Sequence, residues 1–125
     1  MKPIKKLPDA EFEIMRIIWQ NEPPISTNQI IARLDEDNRW KPQTVLTLLI
    51  RLIERGYLSS EKIGKERTYT PLISESEYLQ TETENFIKKY YQNSLTGLVN
   101  TLYKGNNLSE KDISDLRKLL DERMG

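Results

Sequence analysis

The chain has 125 residues with a formal net charge of zero, and it contains neither cysteine nor histidine. This length suits one globular unit, or a compact domain with a small appendage, and argues against a large enzyme. Without thiols and imidazoles the sequence offers no disulfide, no cysteine or histidine for catalysis, and no usual soft ligand for a structural zinc. No cofactor and no metal site are predicted.

Apolar segments are short. The longest, Val45 to Ile53, is interrupted by Thr47 and Arg51 and falls well below the roughly 20 residues that a membrane span needs. The first seven residues lack the apolar region of a signal peptide. The sequence therefore predicts a cytoplasmic protein without membrane insertion.

Helix-breaking and helix-capping residues predict three helices in the first half of the chain. Ser26 and Gln29 have the spacing of a capping box. Pro42 suits a first helical position, and Gly56 suits the position just after a helix end. The predicted bounds are Pro8-Asp9 to a residue before Pro23-Pro24, Ser26 to about Asp35, and Pro42 to about Arg55, with residues 35–41 as a loop.

The third helix has one apolar and one mostly polar face. Residues at the spacing that packs one face on a core are Val45, Leu48, Leu49, Leu52 and Ile53. The residues that face away are Gln43, Leu46, Thr47, Ile50, Arg51 and Glu54. For Ile50, a buried contact with helix two or with the following hairpin is favoured over contact with a base. The remaining outward face suits the major groove of DNA.

After Gly56 the apolar period changes from helical to alternating. Tyr57 to Ile63 and Arg67 to Pro71 have strand composition around a Gly64-Lys-Glu turn, which predicts a β-hairpin. Three helices followed by a two-stranded hairpin form a winged helix-turn-helix domain, assigned to residues 1–72. In that fold the third helix enters the groove and the hairpin, or wing, flanks the duplex.

Residues 73–125 predict three further amphipathic helices. A capping box of Ser74 and Glu77 starts the first, Ser94 starts the second, and Ser109 caps the last. Roughly 50 residues are too few to bury three apolar stripes alone, so this part is assigned as a helical dimerisation domain. Predicted dimer contacts are Leu79, Phe86, Tyr90, Leu95, Leu98, Leu102, Leu116 and Leu120. The predicted fold class is therefore mainly α, a winged helix-turn-helix followed by a three-helix dimerisation domain.

The predicted DNA contacts combine the outward face of helix three with basic residues of the wing. Thr44, Thr47 and Arg51 are assigned to base edges or nearby phosphates, and basic residues to the phosphate backbone. The full set is Lys41, Gln43, Thr44, Leu46, Thr47, Arg51, Lys65 and Arg67. A zero net charge does not itself favour nucleic acid, because phosphate neutralisation drives most non-specific affinity.

Two alternatives of other classes stay open at this point. In a protein-interaction module without specific DNA binding, Leu46 and Ile50 would contact a partner protein. In a hydrolase or nuclease, carboxylates such as Glu82 and Glu84 would act with Mg²⁺. Carboxylates on an amphipathic helix usually face water, so the sequence gives the enzyme alternative little support and predicts a protein that is not an enzyme.

Several segments carry a resemblance to a known family: Ala10 to Trp19, Thr44 to Leu52, Gly56-Tyr57 and Arg67 to Pro71. Over almost its whole length the chain resembles the penicillinase-repressor family of bacterial transcriptional regulators, BlaI and MecI, which also includes the copper-responsive CopY repressors. The resemblance implies a homodimer that binds a dyad operator in double-stranded DNA and represses transcription. In β-lactam systems of the family, a membrane sensor responds to antibiotic and the repressor is cut. A membrane sensor-protease system is thus an implied partner, and a β-lactam or cell-wall-stress response an implied process.

The chain departs from the family pattern at three points. Antibiotic-responsive members carry an Asn-Phe cleavage dipeptide where this chain has Thr101-Leu102, so this pair is the corresponding proteolytic site and its changed sequence argues against induction by cutting there. Leu46 replaces a polar or basic residue, and it can contact a thymine methyl but cannot donate a hydrogen bond. Copper-sensing members use C-terminal cysteine pairs, which are absent, so a copper sensor is not predicted.

Overall fold

The computed structural model describes residues 4–34 and 40–124. The helices within these residues are α1 (Asp9–Trp19), α2 (Thr27–Leu34), α3 (Pro42–Glu54), α4 (Glu75–Tyr91), α5 (Leu95–Lys104) and α6 (Glu110–Met124). The strands are β1 (Ile25–Ser26), β2 (Leu58–Ile63) and β3 (Glu66–Pro71). The predicted helices and hairpin are confirmed, while most of the loop predicted at 35–41 lies outside the described residues.

The strands form one antiparallel sheet in the order β1-β3-β2. β2 and β3 pair from Leu58 opposite Pro71 to Ile63 opposite Glu66. Gly64 follows with φ +64, a conformation that glycine adopts without steric cost at the first position of a two-residue hairpin loop. Glu66 was predicted in the turn but begins β3. The two-residue β1, which pairs with β3, was not predicted because it is too short to show alternation.

The core collects one face of each of the first three helices. From these three helices it includes Ile14, Met15 and Ile18 of α1, Ile30 and Leu34 of α2, and Val45, Leu48, Leu49 and Leu52 of α3. Ile53 is half-buried at the edge of this core. The predicted apolar face of α3 is confirmed, and its packing turns the opposite face toward solvent.

Capping boxes start α2 and α4 as predicted. The Ser26 hydroxyl accepts from the Gln29 N–H at 3.1 Å, and the Gln29 side-chain oxygen accepts from the Ser26 N–H at 2.8 Å. Ser74 and Glu77 make the same reciprocal pair, with both distances 3.1 Å. These hydrogen bonds hold the pKa of the Glu77 carboxyl below its usual value. Local hydrogen bonding therefore defines where these helices begin.

Both ends of α3 follow from special residues. Pro42 occupies the first turn, where its missing N–H costs nothing. At the other end Gly56 has φ +83, its N–H donates to the Ile53 carbonyl at 3.0 Å, and the Tyr57 N–H donates to the Leu52 carbonyl at 2.9 Å. This Schellman ending turns the chain from α3 into β2.

An aromatic cluster packs the first turns of α4 against α1. The ring centroid of the buried Tyr78 lies 5.6 Å from that of Phe12, 5.7 Å from that of Trp19 and 6.0 Å from that of Tyr57. The Tyr78 hydroxyl accepts from the Leu7 N–H at 2.9 Å. Burial raises the pKa of Tyr78, because the charged phenolate would lose its solvation. This cluster was not predicted.

Contacts divide the chain into two compact units, Met1–Glu82 and Thr83–Gly125. The division falls after the predicted domain boundary at residue 72, because Tyr78 packs in the core of the first unit. In the second unit, Ser94 caps α5 by accepting from the Gly97 N–H at 3.0 Å, and Ser109 exchanges capping hydrogen bonds with Asp112. The described residues of α5 and α6 include no buried side chain.

Tyr57 makes stability sensitive to alkaline pH. Its hydroxyl donates to the Lys5 carbonyl, and burial raises its pKa from 10.0 to about 12. Because the folded state holds the phenolic proton more tightly than the unfolded chain, this contribution to stability is complete below pH 10 and is lost as pH rises to about 12. We expect a Tyr57→Phe variant to lose free energy of unfolding less steeply across this range in urea denaturation. The exposed Tyr90, changed to Phe, should keep the original slope, and an unchanged slope in Tyr57→Phe would contradict the assignment.

Candidate nucleic-acid interface

The residues of α3 predicted to contact DNA all lie on the surface. They are exposed at the start of the helix and along its outward face: Lys41, Gln43, Thr44, Leu46, Thr47 and Arg51. An α-helix with this face free can enter a major groove about 12 Å wide. These side chains are therefore accessible, as DNA contact requires. That they contact DNA stays a prediction.

The Thr47 hydroxyl makes a hydrogen bond within α3. It donates to the Gln43 carbonyl one turn earlier, at 3.0 Å. With its proton used within the helix, the oxygen keeps its acceptor lone pairs, and the methyl group stays available for apolar contact. Thr47 can therefore accept a hydrogen bond from an amino group of adenine or cytosine.

The predicted burial of Ile50 is wrong. Its side chain is 55% exposed, far more than its neighbours on the core face. At about 100° of rotation per residue, Ile50 lies between Leu46 and Thr47 on the helix surface, opposite the core rather than toward α2 or the wing. Ile50 therefore belongs to the outward face, and its sequence position already contained this information.

The wing places two basic side chains near the start of α2. Lys65 and Arg67 are exposed, and the Arg67 guanidinium donates to the Ser60 hydroxyl at 2.9 Å across the β2–β3 pair. An open pocket of about 220 Å³ is lined by Thr27, Asn28, Lys65, Glu66 and Arg67. The two wing cations thus share one pocket, to which the predicted residues of α3 do not contribute.

An ion pair between an exposed arginine and a buried glutamate links the end of α3 to α1. Arg55 Nε lies 2.9 Å from Glu11 Oε2, and the Glu11 side chain is almost fully buried. Glu11 was not predicted to be buried. It precedes Ile14, Met15 and Ile18 at apolar-face spacing, which is the signal that could have revealed it. The pair positions α3 and commits Arg55 to the protein rather than to a ligand.

The predicted dimer contacts remain largely uncovered in the single chain. Leu98 and Leu102 are half-buried, whereas the exposed members are Leu79, Phe86, Tyr90, Leu95, Leu116 and Leu120. The rings of Phe86 and Tyr90 lie 5.1 Å apart. An uncovered apolar surface of this kind marks an interaction site more often than an ordinary solvated face.

Thr101-Leu102, the pair aligned with the family cleavage site, lies inside α5. The Thr101 hydroxyl donates to the Gly97 carbonyl at 3.0 Å. Helical backbone must open locally before a protease can cut it. The structure therefore places this pair in a segment that is not preformed for cleavage.

Within the part of the chain that the structure describes, no group of three or more acidic side chains is arranged to hold a metal ion. No helix in residues 4–34 or 40–124 combines the length and apolar character required to cross a membrane.

The three packed helices, the outward face of α3 and the adjoining hairpin define a winged helix-turn-helix protein. The model of the penicillinase repressor family matches residues 7–122. The penicillinase repressor of Bacillus licheniformis is 36% identical over 122 residues, which cover 98% of this chain and 94% of that protein. The methicillin resistance regulatory protein MecI of Mammaliicoccus sciuri is 32% identical over 118 residues, which cover 94% and 95%. The chain belongs to the penicillinase repressor family, and the resemblance seen in the sequence is confirmed.

Solved structures support the same fold. The solution structure of the DNA-binding domain of the repressor BlaI is 44% identical, with a TM-score of 0.54, and the match covers 62% of this chain and 94% of that one. The monomeric form of Bacillus licheniformis BlaI in complex with the blaP half-operator matches with the same identity and coverage and a TM-score of 0.52. The predicted winged helix-turn-helix is therefore confirmed.

Proposed function

We propose that this chain is a homodimeric transcriptional repressor that binds a dyad operator in double-stranded DNA through α3 and the wing. The observation that carries the proposal is the outward face of α3, where Gln43, Thr47 and Arg51 are exposed on one side of a well-packed helix. A protein with the same fold and 44% identity binds a half-operator. Occupation of the operator would exclude RNA polymerase from the promoter.

Each basic or polar group has a role that follows from its chemistry. Arg51 can donate two parallel hydrogen bonds to guanine O6 and N7, the commonest specific contact in a major groove. Lys41 lies at the N-cap of α3, where free N–H groups and the helix dipole also attract phosphate. Lys65 and Arg67 extend the contact to the backbone beside the groove. Base contacts would give specificity, and phosphate contacts would set the register.

Dimerisation is proposed for the helices of the second unit. Leucines and aromatic rings of α4, α5 and α6 are exposed in the described part of the chain, and a second copy would bury them in a self-complementary interface. The solved relative was bound as a monomer to half of an operator, which is consistent with two chains on two half-sites.

The controlled process is proposed from the relatives. Their names connect them with penicillinase and with methicillin resistance, so we assign this chain to a β-lactam or cell-wall-stress response with a membrane sensor-protease as upstream partner. The Thr101-Leu102 pair, inside α5, favours release of DNA by a route other than cutting at that bond.

Replacing Arg51 with alanine tests the role of α3. Loss of a two-bond base contact should weaken binding of the preferred duplex by about 1–3 kcal/mol. Binding can be measured by fluorescence anisotropy with a duplex enriched from a random library. Arg117 of α6 is also exposed, and Arg117→Ala should bind as the parent does. Unchanged affinity of Arg51→Ala at moderate salt would remove this residue from the interface.

One observation favours a second function. The aliphatic side chains of Leu46 and Ile50 are exposed on α3, as a protein-interaction module would require. Failure of the full chain to enrich any duplex from a random library would favour this module over the repressor. The hydrolase or nuclease alternative gains no support from the matched relatives, which are named as repressors and a resistance regulator.

A further inference from the structure

Two exposed aliphatic side chains lie side by side on the outward face of α3. Leu46 is 37% exposed and Ile50 is 55% exposed. They are four residues apart, so they are neighbours on one side of the helix. Scattered apolar residues on a surface are ordinary, but this pair occupies the middle of the face proposed to enter DNA.

Hydrogen-bonding groups surround the pair on the same helix. At about 100° per residue, Ile50 lies roughly 40° from Leu46 and roughly 60° from Thr47 on the helix surface. The Gln43 and Arg51 side chains are exposed on the same side. A ligand that fits this face must therefore offer apolar groups directly beside hydrogen-bonding groups.

The major groove of DNA offers that combination at thymine. Of the groups displayed there by the four bases, the C5 methyl of thymine is the apolar one, and it lies beside the O4 acceptor. We infer that Leu46 and Ile50 form a thymine-methyl contact surface, so that the half-site bound by this chain favours thymine at the positions they face. The inference rests on the proposed function and adds its sequence preference.

The spacing of the two side chains fits two separate thymines. Four residues of helix rise span about 6 Å, and two base-pair steps span roughly 7 Å. Leu46 and Ile50 can therefore face methyl groups about two steps apart when α3 lies along the groove.

Duplex DNA is favoured over a protein as the occupant of this face. The pair is continuous with the proposed base-contacting residues Thr47 and Arg51, and Lys41 precedes it at the helix start. Cationic groups around a small apolar surface match a groove lined by phosphates. A purely protein-binding face would gain little from this arrangement of charge.

The test compares thymine with deoxyuridine, which pairs identically and lacks only the methyl group. The full chain is used to enrich a half-site from a random duplex library, and the enriched duplex is synthesised with deoxyuridine at one thymine position at a time. Burial of one methyl group should make thymine bind roughly three- to fivefold more tightly at each contacted position. We expect two such positions per half-site.

Variants assign the effect to residues. In the double variant that carries both Leu46→Ala and Ile50→Ala, the ratio of thymine to deoxyuridine affinity should fall to about one at both positions. In each single variant, the ratio of thymine to deoxyuridine affinity should fall to about one at one position and stay unchanged at the other. The single variants therefore provide the test if the double variant binds too weakly to be measured. Ile63 of the wing is 54% exposed, so Ile63→Ala removes a similarly exposed side chain and should keep both ratios.

The outcomes separate this inference from the proposed function. Equal binding of thymine and deoxyuridine duplexes by the parent chain would overturn the inference and leave the repressor proposal intact. Ratios that persist in the alanine variants would also overturn it, because another residue would then contact the methyl groups. Absence of any enriched or bound duplex would contradict the repressor proposal itself.

Discussion

If the proposed dimer forms through α5 and α6, replacement of Leu98 or Leu116 by aspartate is expected to convert it into a monomer while the first unit stays folded. Leu98 is half-buried in α5 and Leu116 is 40% exposed in α6, so each retains exposed apolar surface, which the proposed dimer would bury. A symmetric interface would receive the new carboxylate twice. Burial of an unpaired charge costs several kcal/mol, and we expect dimer affinity to fall by roughly a hundredfold or more.

Sedimentation velocity measures this change directly. Circular dichroism on the same samples should show that helical content is retained, since the core of the first unit contains neither leucine. Ile63→Asp introduces the same charge at an exposed wing position and should remain dimeric. Retention of the dimer by both Leu98→Asp and Leu116→Asp would refute the interface assignment.

Replacement of Tyr78 by alanine is expected to lower the free energy of unfolding by about 4 kcal/mol or more. The buried ring contacts Phe12, Trp19 and Tyr57, with centroid distances between 5.6 and 6.0 Å. Its hydroxyl also accepts the Leu7 N–H. The substitution would leave a cavity and an unpaired backbone donor, so both costs add.

Tyr78→Phe separates these two costs. It keeps the ring contacts and removes the acceptor, and it should destabilise by about 1–3 kcal/mol and by less than the alanine variant. Urea denaturation followed by tryptophan fluorescence suits the measurement, because Trp19 lies in the cluster. A loss below about 1 kcal/mol in Tyr78→Ala would show that the cluster contributes little to the fold.

Local features of the structure could be predicted from the sequence. The capping boxes at Ser26 and Ser74, the glycine ending of α3 and the helical spacing of Val45, Leu48 and Leu52 depend on residues within one turn of each other. Interactions at this range are encoded in short segments. The faces of α3 therefore followed from the sequence, and most of the candidate interface with them.

Contacts between distant residues could not be predicted in the same way. The N–H of Leu7 and the hydroxyl of Tyr78, and likewise Glu11 and Arg55, meet because the helices pack. A two-residue strand such as β1 exists because β3 provides its partner. The packing of Tyr78 in the core of the first unit is another contact of this kind, because its partners Phe12, Trp19 and Tyr57 are far from it in the sequence.

Ile50 illustrates a different source of error. Its aliphatic side chain suggested burial, whereas its position on the helix indicated exposure. The structure shows that Ile50 is exposed. Helical geometry outweighs residue type here because the core residues fix the rotation of α3. The exposed position makes Ile50 available for the thymine contact proposed above.

Nuclear magnetic resonance titration of the full chain with its enriched duplex tests the central claim most directly. Binding through α3 should shift the amide signals of Thr44, Thr47 and Arg51, and then those of Lys65 and Arg67 in the wing. Signals of α6, such as those of Leu119 and Leu120, should change little on addition of DNA. Shifts confined to α5 and α6, with the α3 signals unmoved, would contradict the account.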